Sequence, residues 1–147
     1  MFSSIVVGTD GSETARKAVR AAVELAQSVG ASLDIVSAYE PVPNQRLREE
    51  ARQAPDDTQW SIHPREDVDA TLTEAAEDVG DSGVKVETFA REGDPADAIL
   101  DVAEERGADL IVVGNKGMTG AKRFLLGSVP NKVSHHAPCS VLIIRTT

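Results

Sequence analysis

A chain of 147 residues, 41% hydrophobic and 27% charged, has the size and make-up of one globular domain that can bury a core without disulfides. Its net charge of −9, from 15 basic against 24 acidic residues, argues against general attraction to nucleic acid or to anionic membranes. Cys139 is the single cysteine, which rules out an intrachain disulfide, and the apolar stretch Ile5 to Val7 is too short for a signal peptide or a membrane span, so the expected setting is the cytoplasm.

Along the chain, short apolar runs alternate with amphipathic stretches, as in parallel βα units. Ile5-Val6-Val7 reads as the first strand. Ala15, Ala18, Val19, Ala22, Val23, Ala26 and Val29 then recur at helical spacing, with Ser12 placed to cap that helix and Gly30 to end it in the left-handed conformation. A second strand is expected from Leu33 to about Ala38. Residues 40–64 break the pattern: Pro41, Pro43 and Pro55 lie among polar residues ahead of Trp60 and Pro64, which reads as a long loop over one edge of the domain. Trp60 fits a residue that packs this loop down better than a lid.

Regularity returns with Val68, Leu72, Ala75, Ala76 and Val79 on one helix face and Gly80 at its end. Val84 to Ala90 alternates apolar and polar residues, as a strand with one poorly buried face does. Asp94-Pro95 starts the next helix, with Asp as N-cap and Pro in the first turn; Ile99, Val102 and Ala103 face inward and Gly107 stops it. Leu110 to Val113 is fully apolar, as a central parallel strand should be. A glycine-patterned stretch leads to a short helix from Ser128 to about His136, Pro138 breaks it, and Val141 to Ile144 forms the last strand. Five strands and four main helices with right-handed crossovers make a single doubly wound α/β domain over residues 1–147, a five-stranded parallel sheet with helices on both faces. The last strand is apolar on both faces. Exposed at a sheet edge it would invite aggregation, and pairing with a second copy would cover it, so a homodimer through Val141–Ile144 is expected.

The charge is unevenly spread. From Leu110 to Thr147 there is no Asp or Glu, while Lys116, Lys122, Arg123, Lys132 and Arg145 give that segment +5; residues 1–109, with 10 basic against 24 acidic residues, carry −14. A local anion site is the simplest reading. In an open α/β sheet, ligands bind beyond the carboxyl ends of the strands where the winding reverses. The loops expected to meet there are Gly8 to Ser12 and Gly114 to Ser128. Glycines let backbone amides approach an anion closely, and a helix beginning at Ser128 adds amides, a hydroxyl and a positive dipole end. Pro130 lacks an amide proton but falls in the first turn, where that loss is tolerated. Neither GxxxxGK[ST] nor GxGxxG occurs. Physics alone leaves phosphate binding and a plain structural turn both open.

Gly114-x2-Gly117-x9-Gly127-Ser128 resembles the nucleotide motif of the ATP-binding subgroup of the universal stress protein family. The opening Ile-Val-Val-Gly-Thr-Asp-Gly-Ser and the ending Pro-Cys-Ser-Val-Leu-Ile-Ile-Arg are similar to that family too, and only residues 41–64 fall outside the likeness. The resemblance implies strand order 3-2-1-4-5 and dimers joined through the last strand. It implies that Asp10 contacts the adenosine part of ATP or a bound divalent ion such as Mg²⁺, and that the backbone of Ala38 meets the adenine. Gly114, Gly117, Gly127, Ser128 and Val129 would hold ribose and phosphates. Lys116 stands where many members place Arg or His, a departure from the family's pattern, and is carried over as a candidate phosphate contact. Asn115 stands where Ser is common, an exchange expected to matter little.

Each residue has a plainer reading. Asp10 could serve only a turn, and Gly8 and Gly11 only its tightness. His135, His136 and Cys139 lie close in sequence, but adjacent helical side chains point about 100° apart and rarely share a metal, and Cys139 fits a small packing residue. Three functions stay open: an ATP-binding regulator with an unidentified protein partner, a slow ATPase or nucleotidyl-transfer enzyme, and a dimerisation module without nucleotide. Asp10 is the only carboxylate that the motif brings to the site, which is sparse equipment for phosphoryl transfer.

Overall fold

The computed structural model describes residues 2–39, 65–115 and 127–146. The expected loop over residues 40–64, with Trp60 and His63, lies outside them, as do Lys116 and Gly117. The described residues form β1 (Ser4–Gly8), α1 (Glu13–Val29), β2 (Ser32–Tyr39), α2 (Arg65–Val79), β3 (Val86–Glu92), α3 (Pro95–Arg106), β4 (Leu110–Gly114), α4 (Ser128–His136) and β5 (Ser140–Ile144). All four strand pairings are parallel, in the order β3-β2-β1-β4-β5.

Strand residues alternate between two cores because successive side chains point to opposite faces. Ile5, Val7, Leu33, Ile35, Leu110 and Val112 pack under α1 and α2. Val6, Val36, Ile111 and Val113 pack under α3 and α4. Strands buried on both faces explain the unbroken apolar runs of β1 and β4, and they place β1 and β4 at the centre of the sheet.

The helix ends follow local chemistry. Ser12 Oγ accepts from the Ala15 N–H, and Asp94 accepts from the Asp97 N–H at 3.1 Å with Pro95 behind it. Gly30 and Gly107 close α1 and α3 at φ 73° and 63°, in the left-handed region that favours glycine.

The structure departs from the expected boundaries in three places. The third strand runs from Val86 to Glu92 instead of Val84 to Ala90. A 3₁₀ turn over Gly80–Ser82 and a left-handed Gly83 carry the chain past Val84 before pairing begins at Val86 opposite Leu33. Arg91 and Glu92 still pair, because at a sheet edge their charged side chains reach water. Val29, expected on the inner face of α1, ends the helix 40% exposed.

One polar cluster reaches from the surface to the α3-side core. Asp34 on β2 is 2% exposed and stands directly across the pairing from Glu87 on β3. Arg106, at the end of α3, reaches both: Nε lies 3.2 Å from Asp34 Oδ2, and a terminal nitrogen lies 2.9 Å from Glu87. Its guanidinium also lies over the Phe89 ring. Burial pushes the Asp34 carboxyl up while Arg106 pulls it back. Two like charges side by side on neighbouring strands repel, and one fork-shaped cation answers both.

Candidate functional site

The carboxyl ends of β1 and β4 lie side by side, because β2 and β3 wind off to one side of β1 and β5 to the other side of β4. This is the switch point of the sheet, where the crossing connections leave a crevice. A concavity occurs there, lined by Gly8, Thr14, Ala15, Ala18, Ile99, Val113, Gly114, Val129 and Thr146. Its walls are mostly apolar, with two threonines.

Four of the residues singled out in the sequence meet at this crevice or next to it. Gly114 ends β4, and Val129 lies in the first turn of α4. Gly127 is the N-cap of α4 and Ser128 its first residue, so the helix begins as the sequence implied. Gly127 has φ −62°, which any residue can adopt. It is buried where the chain enters the helix.

In the first turn of α4, Pro130 has no amide proton and the Asn131 N–H bonds to the Gly127 carbonyl at 3.0 Å. The first turn of α4, Ser128 to Pro130, stands at the positive end of the helix dipole. Lys132, one turn further, is paired with Asp94 and Asp97 of α3 and points its charge there.

Asp10 sits in the loop after β1. Its Oδ1 accepts from the Ser12 N–H at 2.9 Å, and Thr9 Oγ1 accepts from the Gly11 N–H at 3.1 Å. Both side chains thus shape the turn that delivers Ser12 to its capping position, while Gly11 takes φ 81° against Thr71 of α2. Asp10 and Ala38 do not line the crevice itself. Gly8 pairs with Val36, which places Ala38, partly buried, two residues beyond that pairing at the same end of the sheet.

Two residues that the sequence did not single out as site residues, Asn115 and Thr146, join this region. Asn115 follows β4, and its side-chain oxygen accepts from the Thr146 N–H and Oγ1. Asn115 is legible as the residue between a glycine and a lysine at a strand end. Thr146 carries no local signal, because the contact spans 31 residues.

His135 and His136 are exposed at the carboxyl end of α4. Cys139 is partly buried against the α3-side core, and burial pushes its thiol up, away from the reactive thiolate. Among the described residues no helix is long and apolar enough to cross a membrane.

The universal stress protein family model matches residues 1–145. Universal stress protein Rv1636 of Mycobacterium tuberculosis is 39% identical over 149 residues, covering 99% of this chain and 98% of that protein. Among solved structures, a universal stress protein in complex with cAMP is 33% identical with a TM-score of 0.73, covering 99% of this chain and 98% of the other. The universal stress protein from Archaeoglobus fulgidus in complex with dAMP is 26% identical with a TM-score of 0.67, covering 98% of each chain.

Proposed function

The chain belongs to the universal stress protein family, and from that premise we propose that it is an ATP-binding regulatory protein of the stress response, acting as a dimer in the cytoplasm. The observation that carries the proposal is the arrival of the α4 N-terminus, with the Ser128 and Val129 amides, at the apolar crevice between β1 and β4. Main-chain amides and a helix dipole suit phosphate, and apolar walls suit a nucleoside. The acid-free segment from Leu110 to Thr147 keeps negative charge away from the phosphates. Relatives with this fold are held in complex with cAMP and dAMP, which favours an adenine nucleotide here.

In this reading Gly114, Lys116, Gly117, Gly127, Ser128 and Val129 receive ribose and phosphates, the Ala38 backbone meets the adenine, and Asp10 faces the ribose or a divalent ion. Mg²⁺ fits as a passenger of the nucleotide. No group of three or more His, Cys, Asp or Glu that could hold a metal occurs among the described residues, and Mg²⁺ typically takes one or two carboxylates together with substrate phosphates. Asp10 would be that carboxylate.

Dimerisation is supported by β5. It is an edge strand whose Leu142 and Ile143 are each 38% exposed, and a second copy pairing along it would cover them. Nucleotide bound across the loops after β1 and β4 favours one arrangement of them, and that arrangement is what a protein partner reads.

Ligand that binds only the folded state raises its stability by mass action. At a hundred times the dissociation constant the gain is about 2.7 kcal/mol, which for a chain of this size raises the melting temperature by roughly 5–10 °C. Saturating ATP with Mg²⁺ is expected to produce such a rise, and GTP a smaller one. No rise with any adenine nucleotide would remove the proposal.

A further inference from the structure

The tail that follows β5 is fastened beside the crevice at three points. Asn115 Oδ1 accepts from the Thr146 N–H at 2.8 Å and from Thr146 Oγ1 at 3.0 Å. Lys17 Nζ, from α1, donates to the Thr146 carbonyl at 3.2 Å. Thr146 is 3% exposed and lines the crevice next to Gly114.

The main chain of Asn115 makes two further connections. Its N–H donates to the Ile144 carbonyl at 2.9 Å, and its carbonyl accepts from the Gly127 N–H at 2.9 Å. One residue therefore joins the end of β4, the tail after β5 and the N-cap of α4. With its amide taken by Asn115 and its carbonyl by Asn131, Gly127 acts here as a fixed pivot for the first turn of α4. Where Ser128 and Val129 stand is set by where Gly127 is held, and Gly127 is held by the residue that holds Thr146.

Taking the crevice to be the nucleotide site, we propose that Asn115 and Thr146 are positioning residues for the phosphate end of the ligand. The Asn115 carboxamide fixes the residue's orientation by gripping the tail, and its carbonyl passes that orientation to the first turn of α4. Hydrogen bonds from amides to phosphate weaken steeply with misalignment, so a small displacement of Gly127 costs affinity without contact between Asn115 and ligand. The exchange of Ser for Asn at this position, expected from the sequence to matter little, becomes a determinant of phosphate affinity.

The test compares two ligands that share the nucleoside and differ in phosphate. ATP with Mg²⁺ is titrated calorimetrically, and adenosine is followed by ligand-observed NMR, which reads weak binding. Asn115→Leu keeps the bulk and removes the acceptor, while Thr146→Val keeps the shape and the backbone amide and removes only the hydroxyl. Both are measured well below their melting temperatures. The expected result is ATP affinity lowered about tenfold by Asn115→Leu, equivalent to about 1.4 kcal/mol, and about threefold by Thr146→Val, with adenosine affinity falling by a clearly smaller factor in each variant. Should Asn115→Leu not fold, Thr146→Val carries the comparison. ATP and adenosine weakening by the same factor, or neither weakening, would overturn the proposal and leave the nucleotide site standing. Wild-type protein that binds neither ligand would overturn the nucleotide reading and this inference with it.

Discussion

Gly114 lies against Thr146: a Cβ added to the glycine would stand 3.3 Å from Thr146 Cγ2 and 3.9 Å from Ala18 Cβ. The end of β4 thus lies close against the tail, with α1 at ordinary contact distance, and a side chain there would require Thr146 to give by a few tenths of an ångström. Gly114→Ala is expected to fold, to lose about 1–3 kcal/mol through overpacking, and to bind ATP more weakly because Thr146 must shift. Urea unfolding and ATP titration on the same preparation check both effects. Unchanged stability would mean that Thr146 gives way freely.

Asp10 has a turn role visible in the structure and a ligand role that is proposed, and one substitution separates them. Asp10→Asn keeps an oxygen able to accept from the Ser12 N–H, so stability should stay within about 0.5 kcal/mol of wild type. Loss of the carboxylate should weaken ATP binding about tenfold, a difference near 1.4 kcal/mol, mainly when Mg²⁺ is present. Asp10→Ala should lose stability as well. Equal ATP affinity in wild type and Asp10→Asn would confine Asp10 to the turn.

The Asp34–Arg106 pair gives a pH-dependent prediction. Burial raises the Asp34 carboxyl above its ordinary value, so its contribution is most favourable at acid pH and declines as pH rises through its folded value. Removing Arg106 raises it further and widens that decline. Arg106→Ala should therefore cost about 2 kcal/mol at neutral pH, less than the ~3–5 of a fully buried pair because Arg106 is 40% exposed. The deficit should narrow as pH falls from neutral toward the acid range and Asp34 takes up a proton. Urea unfolding across that range is the measurement, and a deficit that widened toward acid would refute the assignment.

Leu142→Lys places charge on the exposed edge strand without disturbing either core. Sedimentation equilibrium should show wild type as a dimer and the variant shifted strongly toward monomer, with circular dichroism unchanged. A monomeric wild type would leave β5 unexplained as an interface.

Much of this architecture was legible because parallel strands buried on both faces write themselves as apolar runs. Ile5 to Val7 and Leu110 to Val113 declared the central strands, and Ser12, Asp94, Gly30 and Gly107 declared helix ends through chemistry that acts over three or four residues. What failed were positions governed by distant partners. Arg91 and Glu92 read as loop, since only an edge location makes charged strand residues natural. Asp34 gave no sign of being buried, because its partner Arg106 is 72 residues away. At the site, the glycines and Ser128 were visible as a motif, whereas the grip of Asn115 on Thr146 depends on β5 lying beside β4, which no local pattern encodes.

The most direct test of the central claim is calorimetric titration of nucleotide-free, folded protein with ATP and Mg²⁺, after bound nucleotide has been removed and its absence checked. The account predicts saturable binding near one ATP per chain, lost when Gly127 is replaced by a bulky residue in a protein that still folds. Absence of binding by folded wild-type protein would contradict it and leave a dimerisation module of the same fold.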